Sequence, residues 1–449
     1  MSKTIYLGND ANFEKTLANN SNYDSTTAIA ELIDNSIGAK AHTIKIDIVN
    51  NMFKISDFGE DAGMNEIMFE HNFFRNGSSS TRNDNDAAGV FGIGGKTGIL
   101  AIIGNEIATD VEIITHKKGY KPLYAKWEIT RGRCDRCVID LLNDDSYPCG
   151  TQISFTFGSK VDVQELITFI GVTYCWSIKN GVNIYVNDVL VDACDPFYRD
   201  HEVVVSNNLF LSKTFKVAGE TVIVNTVGFK DDKIIPSDCL SNYDKGTSKR
   251  GGLRTSNRSG VYVRTGGRYF TLGGNFTRLT GINGNTTYNG MRVEVIVPKA
   301  LWDMIGILWN KSGVKSFTKI DDFNTGSIKT GVLDYICYKM NKFSTDKHEY
   351  NTKIATGLSK DFALIKKQNN IEHINVTALA SVSKRGNFIS YDKNRLIFDV
   401  TFAPTDNRKD VYGIVKSVAI VVDVLVKNKC SNQLINEVID KFNNSQVED

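Results

Sequence analysis

Residues 25–56 restrict the possible folds more than any other stretch, because a helix signature runs directly into a hairpin signature. Ala28, Ile29, Leu32 and Ile33 recur at helical spacing, with Ser25 or Thr26 near the N-cap and Gly38 at the end. From Thr43 to Val49 the period changes to two, with Ile44, Ile46 and Ile48 on one face and Lys45 and Asp47 on the other. Asn50-Asn51 reverses the chain and Met52–Ser56 returns as a second strand. The helix and the hairpin each carry one apolar face that must be buried against another element.

The helix also carries polar chemistry. Glu31 and Asn35 lie four apart, which stacks a carboxylate and a carboxamide one turn apart on one face. The carboxylate can take a proton from water, and the amide oxygen can face a metal ion, a combination that suits a Mg-nucleotide site.

Composition narrows the classes. The 449 residues allow two or three domains of roughly 150 residues each. Apolar residues make up 41%, enough for packed cores, so a disordered chain is excluded. A net charge of +2 predicts no strong global attraction to nucleic acid or membrane. The N-terminus reads as lacking a signal peptide, and no apolar run reaches membrane-spanning length, so a cytoplasmic chain is expected, or a nuclear one in a eukaryote. Eight scattered cysteines fit reduced thiols. Cys134 and Cys137 form a C-x-x-C without a second ligand pair, which reads as a surface turn rather than a zinc site.

Further strands are expected at 108–116, 124–131 and 152–157, and one helix over 161–178 closes a first domain, 1–179. A hairpin at 182–191 opens a second domain, 180–315, with strands at 202–205, 221–229, 260–264 and 291–297 and a helix at 301–308. A third domain, 316–449, combines a helix at 332–343, a strand at 395–402 and one or two helices over 410–442. Its apolar run Tyr412–Val426 could bury a dimer face.

Three more elements complete the polar pattern. Asp57 ends the returning strand and is followed by Gly59, Gly63 and Met64, a place where a flat ring could meet a carboxylate. Residues 71–88 form a polar loop. It leads into Gly89-Val-Phe-Gly92-Ile-Gly94-Gly95-Lys96-Thr97-Gly98, whose bare amides suit an anion at a helix start. A P-loop would need glycine at position 90, which is Val, and no strand–helix–strand unit supports a Rossmann site. Thr151 then follows Gly150 at a strand entry.

In this order the elements resemble the GHKL ATPase superfamily, with Ala28–Ser36 and Gly89–Gly98 most similar to MORC-type ATPases. The resemblance covers about residues 25–157. It implies a Bergerat α/β sandwich, a transducer-like α+β domain and a small mixed C-terminal domain.

By position, Glu31 would be the general base, Asn35 the Mg2+ ligand and Asp34 its neighbour. Asp57 would bind the adenine amine with Thr151 assisting, beside Gly63 and Met64. Gly89, Gly92, Gly94, Gly95, Lys96 and Thr97 would hold phosphates under a lid of residues 71–88. Three residues separate Gly59 from Gly63 where the family's second motif has one, so the role of Gly59 differs from the pattern. Glu31 favours hydrolysis over histidine phosphorylation. A lysine from the second domain, Lys311 first and Lys315 second, would reach the terminal phosphate; two solvated lysines after a helix are an equal alternative.

The resemblance further implies ATP and Mg2+ as ligands and an ATP-dependent homodimer that closes as a clamp, on DNA or, alternatively, on a protein client. Residues 245–268 hold two lysines and five arginines, which reads as a nucleic-acid surface or as a solvated loop. No nuclease or zinc-reader motif accompanies them, so topoisomerase activity is not expected.

Overall fold

The computed structural model describes residues 3–6, 24–74, 94–104, 109–130, 133–144, 146–158, 160–200, 210–229, 259–273, 290–307, 336, 339, 365–379, 388–399 and 408–445. Among these residues the chain builds three sheets.

The first sheet has nine strands in the order β1-β6-β5-β4-β7-β3-β2-β8-β9. They are β1 (Lys3–Tyr6), β2 (Thr43–Val49), β3 (Met52–Phe58), β4 (Thr109–His116), β5 (Leu123–Thr130), β6 (Arg133–Leu141), β7 (Gly150–Thr156), β8 (Asn183–Val186) and β9 (Val189–Leu190). Only β2 and β8 pair in parallel. The β2–β3 hairpin closes as its sequence predicts: Asn50 and Asn51 both take positive φ, the geometry of a tight two-residue turn.

Helices α1 (Ser25–Gly38), α3 (Gly94–Ile103) and α4 (Val163–Thr173) cover this sheet. Ile29, Leu32 and Ile33 of α1 share one core with Ile99 and Ile102 of α3, Leu166 and Ile170 of α4, and Ile44, Ile46, Phe53 and Ile153 of the strands. Each such side chain contributes on the order of 1.5–3 kcal/mol by leaving water. A short helix α2 (Glu66–Met68) continues into a π-helical turn, Phe69–Phe74, so the start of the expected polar loop is helical.

Several boundaries differ from the sequence expectation. Asp24, not Ser25 or Thr26, caps α1 by accepting a hydrogen bond from the Thr27 amide. The Cys134–Cys137 segment lies along β6 rather than in a turn, and burial pushes the Cys137 thiol up to about 12. The helix expected over 161–178 breaks at Tyr174 into α4 and α5 (Cys175–Lys179). The 182–191 hairpin does not open the second unit. It extends the first sheet through β8, because Ile184 and Val186 pair beside Ile44 and Ile46 and share their core. The 1–179 boundary therefore cuts through the first sheet.

The second sheet runs β10-β11-β14-β12-β13. Its strands are β10 (Phe210–Val217), β11 (Glu220–Gly228), β12 (Gly260–Thr265), β13 (Arg268–Tyr269) and β14 (Met291–Ile296). A 3-10 turn, Lys299–Leu301, and α6 (Trp302–Ile305) replace the longer helix expected at 301–308, and Leu301, Trp302 and Ile305 pack on Val263 and Val295. The third sheet, β15-β17-β16, comprises β15 (Asn375–Leu379), β16 (Ile389–Asp392) and β17 (Arg395–Asp399). It packs on α7 (Arg408–Lys427) and α8 (Asn432–Ser445) through Leu396, Phe398, Val415, Val418, Ile435 and Ile439. The strand expected at 202–205 and most of the helix expected at 332–343 lie outside the described residues. No helix among the described residues is long and apolar enough to cross a membrane.

Candidate functional site

Two levels of one helix, its middle and its C-terminal end, define the site. At its C-terminal end, Ser36 donates to Asp57 Oδ2 at 2.9 Å, and the Thr151 amide donates to Asp57 Oδ1 at 2.6 Å. Register explains the second bond: Asp57 on β3 lies directly opposite Thr151 on β7. Thr151 Oγ1 is 3.0 Å from Thr115 Oγ1, which accepts from the Met64 amide at 2.7 Å.

Two glycines let the backbones meet here. Gly63 has φ +88, and a Cβ on it would fall 2.2 Å from the His116 carbonyl oxygen. Gly150 has φ +145, and a Cβ there would fall 1.9 Å from the Asp57 carbonyl oxygen. Side chains at either position are excluded by space and by backbone conformation. Gly59 packs differently: a Cβ would meet Lys40 O at 3.1 Å and Ala41 Cα at 3.3 Å.

Asp57 is buried, and desolvation pushes its carboxyl up to about 6 despite hydrogen bonds from Ser36 and Thr151 that pull the other way. The result is a carboxylate held by two donors, on a floor of glycines, suited to a donor such as an exocyclic amine.

One turn back along α1 lie Asn35, Asp34 and Glu31. Asn35 is exposed, whereas Asp34 and Glu31 are each 1% exposed. The sequence divides α1 into a polar and an apolar face; in the structure it is buried on nearly every side. Helix α3 comes close because it carries glycine where it crosses α1. A Cβ on Gly95 would lie 2.7 Å from Asn35 Nδ2, and one on Gly98 would lie 3.0 Å from Ala28 O and 3.5 Å from Glu31 Cβ.

Gly94 and Gly95 open α3, five residues before Ile99, where the apolar pattern places the helix start. Thr97 is buried, and so is Lys96, whose ammonium donates to the Phe74 carbonyl at 2.8 Å. In this arrangement Lys96 joins the start of α3 to the end of the π-helical turn. Gly89, Gly92, Lys311, Lys315 and residues 75–88 of the expected lid lie outside the described residues.

Sequence reasoning misses the partners of Asp34. Tyr174, at the break between α4 and α5, donates to Asp34 Oδ1 at 2.9 Å or to Ala30 O at 2.7 Å. Arg268 of β13 forms a buried ion pair with Asp34 Oδ2. Neither partner is near α1 in sequence, and no local pattern announces them. Arg268 ends the basic stretch 245–268, but it is 4% exposed. Arg264 of the same stretch donates to buried Glu294 at 3.0 Å, and Tyr262 is also buried. These residues form core rather than a nucleic-acid surface, and residues 245–258 lie outside the described residues.

Comparison with known families agrees with this geometry. Residues 23–139 match the family described as histidine kinase-, DNA gyrase B-, and HSP90-like ATPase. No curated protein matches the chain. One similar solved structure is that of the ATPase and transducer domains of DNA topoisomerase II from Balamuthia mandrillaris. It is 12% identical, with a TM-score of 0.40, covering 72% of this chain and 84% of that one. Residues 23–139, which include the buried Glu31 and the Asp57 cradle, are thus similar to ATPases of the GHKL type.

Proposed function

We propose that the chain binds ATP with Mg2+ and hydrolyses it, and that nucleotide binding closes two copies into a clamp. The observation that carries this reading is the placement of both chemistries on one helix: Ser36 grips Asp57, and Glu31 is buried one turn away, against Gly98 of α3.

In this mechanism Asp57 accepts the adenine amine, with Thr151 and Thr115 beside it, and Gly63 and Met64 line the base. The start of α3, Gly94-Gly95, offers amides to phosphate oxygens together with Gly89 and Gly92. Asn35 would hold Mg2+, which neutralises phosphate charge when bound. Glu31 takes the proton of the attacking water. Lys96 and a lysine of the second unit, Lys311 or Lys315, would stabilise the charge developing on the phosphate.

The donor set fits such a metal: an exposed amide oxygen beside buried carboxylates, next to a glycine whose missing Cβ keeps Asn35 uncovered. Calorimetry with ATP and Mg2+, followed by turnover of wild type and E31Q, tests the reading. Binding by both and turnover by wild type alone is the expected result; equal turnover by E31Q overturns the assigned base.

For the work done by closure we favour DNA, as in MORC-like or MutL-like proteins acting in repair, silencing or defence against foreign DNA. Its support is the resemblance of Ala28–Ser36 and Gly89–Gly98 and the basic residues Lys245, Lys249, Arg250, Arg254 and Arg258. Gel shifts across a salt series, with and without a non-hydrolysable analogue, test it. Binding of a protein client without DNA dependence would favour a chaperone-like or regulatory switch instead.

A further inference from the structure

The hairpin that carries Arg268 is pressed into the first unit. Gly267 leaves no room for a side chain: a Cβ on it would stand 2.1 Å from Ser177 Oγ, and that hydroxyl donates to the Gly267 carbonyl at 3.3 Å. Next to it, Trp176 Nε1 donates to the Tyr269 hydroxyl at 3.1 Å. Tyr269 in turn donates to buried Glu294 at 2.6 Å, where Arg264 and Asn225 also converge. Arg199 and Arg264 both lie over the Trp176 ring, with centroid distances of 5.1 Å and 4.6 Å. A hairpin tip held from so many directions places its last side chain with little freedom, and that side chain is Arg268.

Arg268 enters between Tyr174 and Phe270, 5.8 Å and 5.2 Å from their ring centroids, and reaches Asp34. Asp34 and Glu31 are three apart on α1, so they are neighbours on its surface. Both are buried, and two buried carboxylates on adjacent turns repel one another unless a cation stands beside them. Glu31 itself is confined on its other side by Gly98 of α3. Arg268 Nε finds no hydrogen-bond acceptor among the described residues.

We propose that Arg268 is a positioning residue for hydrolysis, supplied by the second unit: its ion pair with Asp34 fixes the face of α1 that presents Glu31 to water. Docking of the second unit thereby sets the geometry of the base, while the adenine end of the site forms without it. The inference rests on the reading of Glu31 as the base.

The test uses the full chain and three variants, R268M, R268K and W176F. Turnover kinetics give kcat and KM for ATP, calorimetry gives the affinity for the β,γ-imido analogue of ATP, and thermal melting reports folding. The expected result for R268M is a fall in kcat of at least tenfold, with KM and analogue affinity within threefold of wild type. R268K, which keeps the charge but not the fork, should recover part of the loss. W176F removes one hydrogen bond of the same joint but leaves the Arg268–Asp34 pair in place, so its melting temperature should fall and its kcat should drop by less than threefold, well short of R268M.

Wild-type kcat in R268M overturns the proposal. So does a parallel loss of kcat and analogue affinity, or a loss in W176F equal to that in R268M, because either marks a purely structural joint. Where R268M does not fold, the contrast of R268K with W176F decides in the same way. Wild type without turnover, or E31Q as active as wild type, would instead remove the reading of the site and this inference with it.

Discussion

The two ends of the site are built differently. The Asp57 end is made locally: β3, β7, β4, the last turn of α1 and the loop that follows β3, through Met64, supply every hydrogen bond described there. The Glu31 end depends on residues distant in sequence, Tyr174 and Arg268, the second of them from another sheet. An end assembled locally can bind whenever the first unit is folded. An end completed from outside can be regulated, since its geometry depends on how the second unit sits. Substitutions at one end should therefore act on affinity, and substitutions at the other on turnover.

The largest expected effect is at the Glu31 end. E31Q should lower kcat by roughly 10²–10⁴, the usual contribution of a positioned general base, with ATP affinity retained. A comparable loss of affinity in calorimetry would break the separation between the ends.

Next is the glycine floor of the other end. G63A must place a Cβ against the His116 carbonyl at positive φ, so it should lower stability by several kcal/mol, about the cost of overpacking plus backbone strain. Chemical denaturation measures the loss, and ATP affinity should fall with it.

D57N should weaken ATP binding by about 10–100-fold, on the order of a hydrogen bond to a charged group. The same substitution should stabilise the nucleotide-free chain at high pH. The folded carboxyl is raised to about 6, so its favourable contribution is complete below the unfolded value of 3.8 and is lost as pH rises through about 6. Asn escapes that penalty, and its Nδ2 can donate to Ser36. The gain should therefore be absent near pH 3, grow between about 4 and 6, and reach at most about 3 kcal/mol above that range. Melting curves across pH would show it. For wild type, ATP affinity should decline as pH falls through about 6, because the adenine amine needs the ionised form.

The smallest effect is expected from S36A. The Ser36 hydrogen bond lowers the Asp57 pKa, so its removal should move the pH midpoint of ATP binding upward and cost about 1 kcal/mol of affinity at lower pH. An unchanged midpoint would mean that Ser36 does not tune the carboxylate.

The local end is also the legible one. Asp57, Gly63, Thr151 and the α1 polar residues can be read because each sits at a turn, a strand end or a helix turn whose signature spans a few residues. Asn50-Asn51 and Gly38 mark the hairpin and helix end in the same way. Arg268 cannot be read, because its partner is 234 residues away and its own surroundings, Gly-Gly-Arg in a basic stretch, resemble an exposed loop. The break at Tyr174, whose hydroxyl meets α1, is hidden by continuous apolar periodicity across 161–178. Strand β6 escapes a reading by pattern because Arg133, Asp135 and Arg136 obscure its alternation.

The parallel pairing of β2 with β8 bears on how the molecule can be divided. A fragment ended at residue 179 would keep β2 but lose the strand that covers it, leaving Ile44 and Ile46 beside a row of unpaired backbone groups. Such an edge invites pairing with another copy. Fragments that extend past Leu190 should stay monodisperse where shorter ones aggregate, and solubility alone would then reveal where the first unit ends.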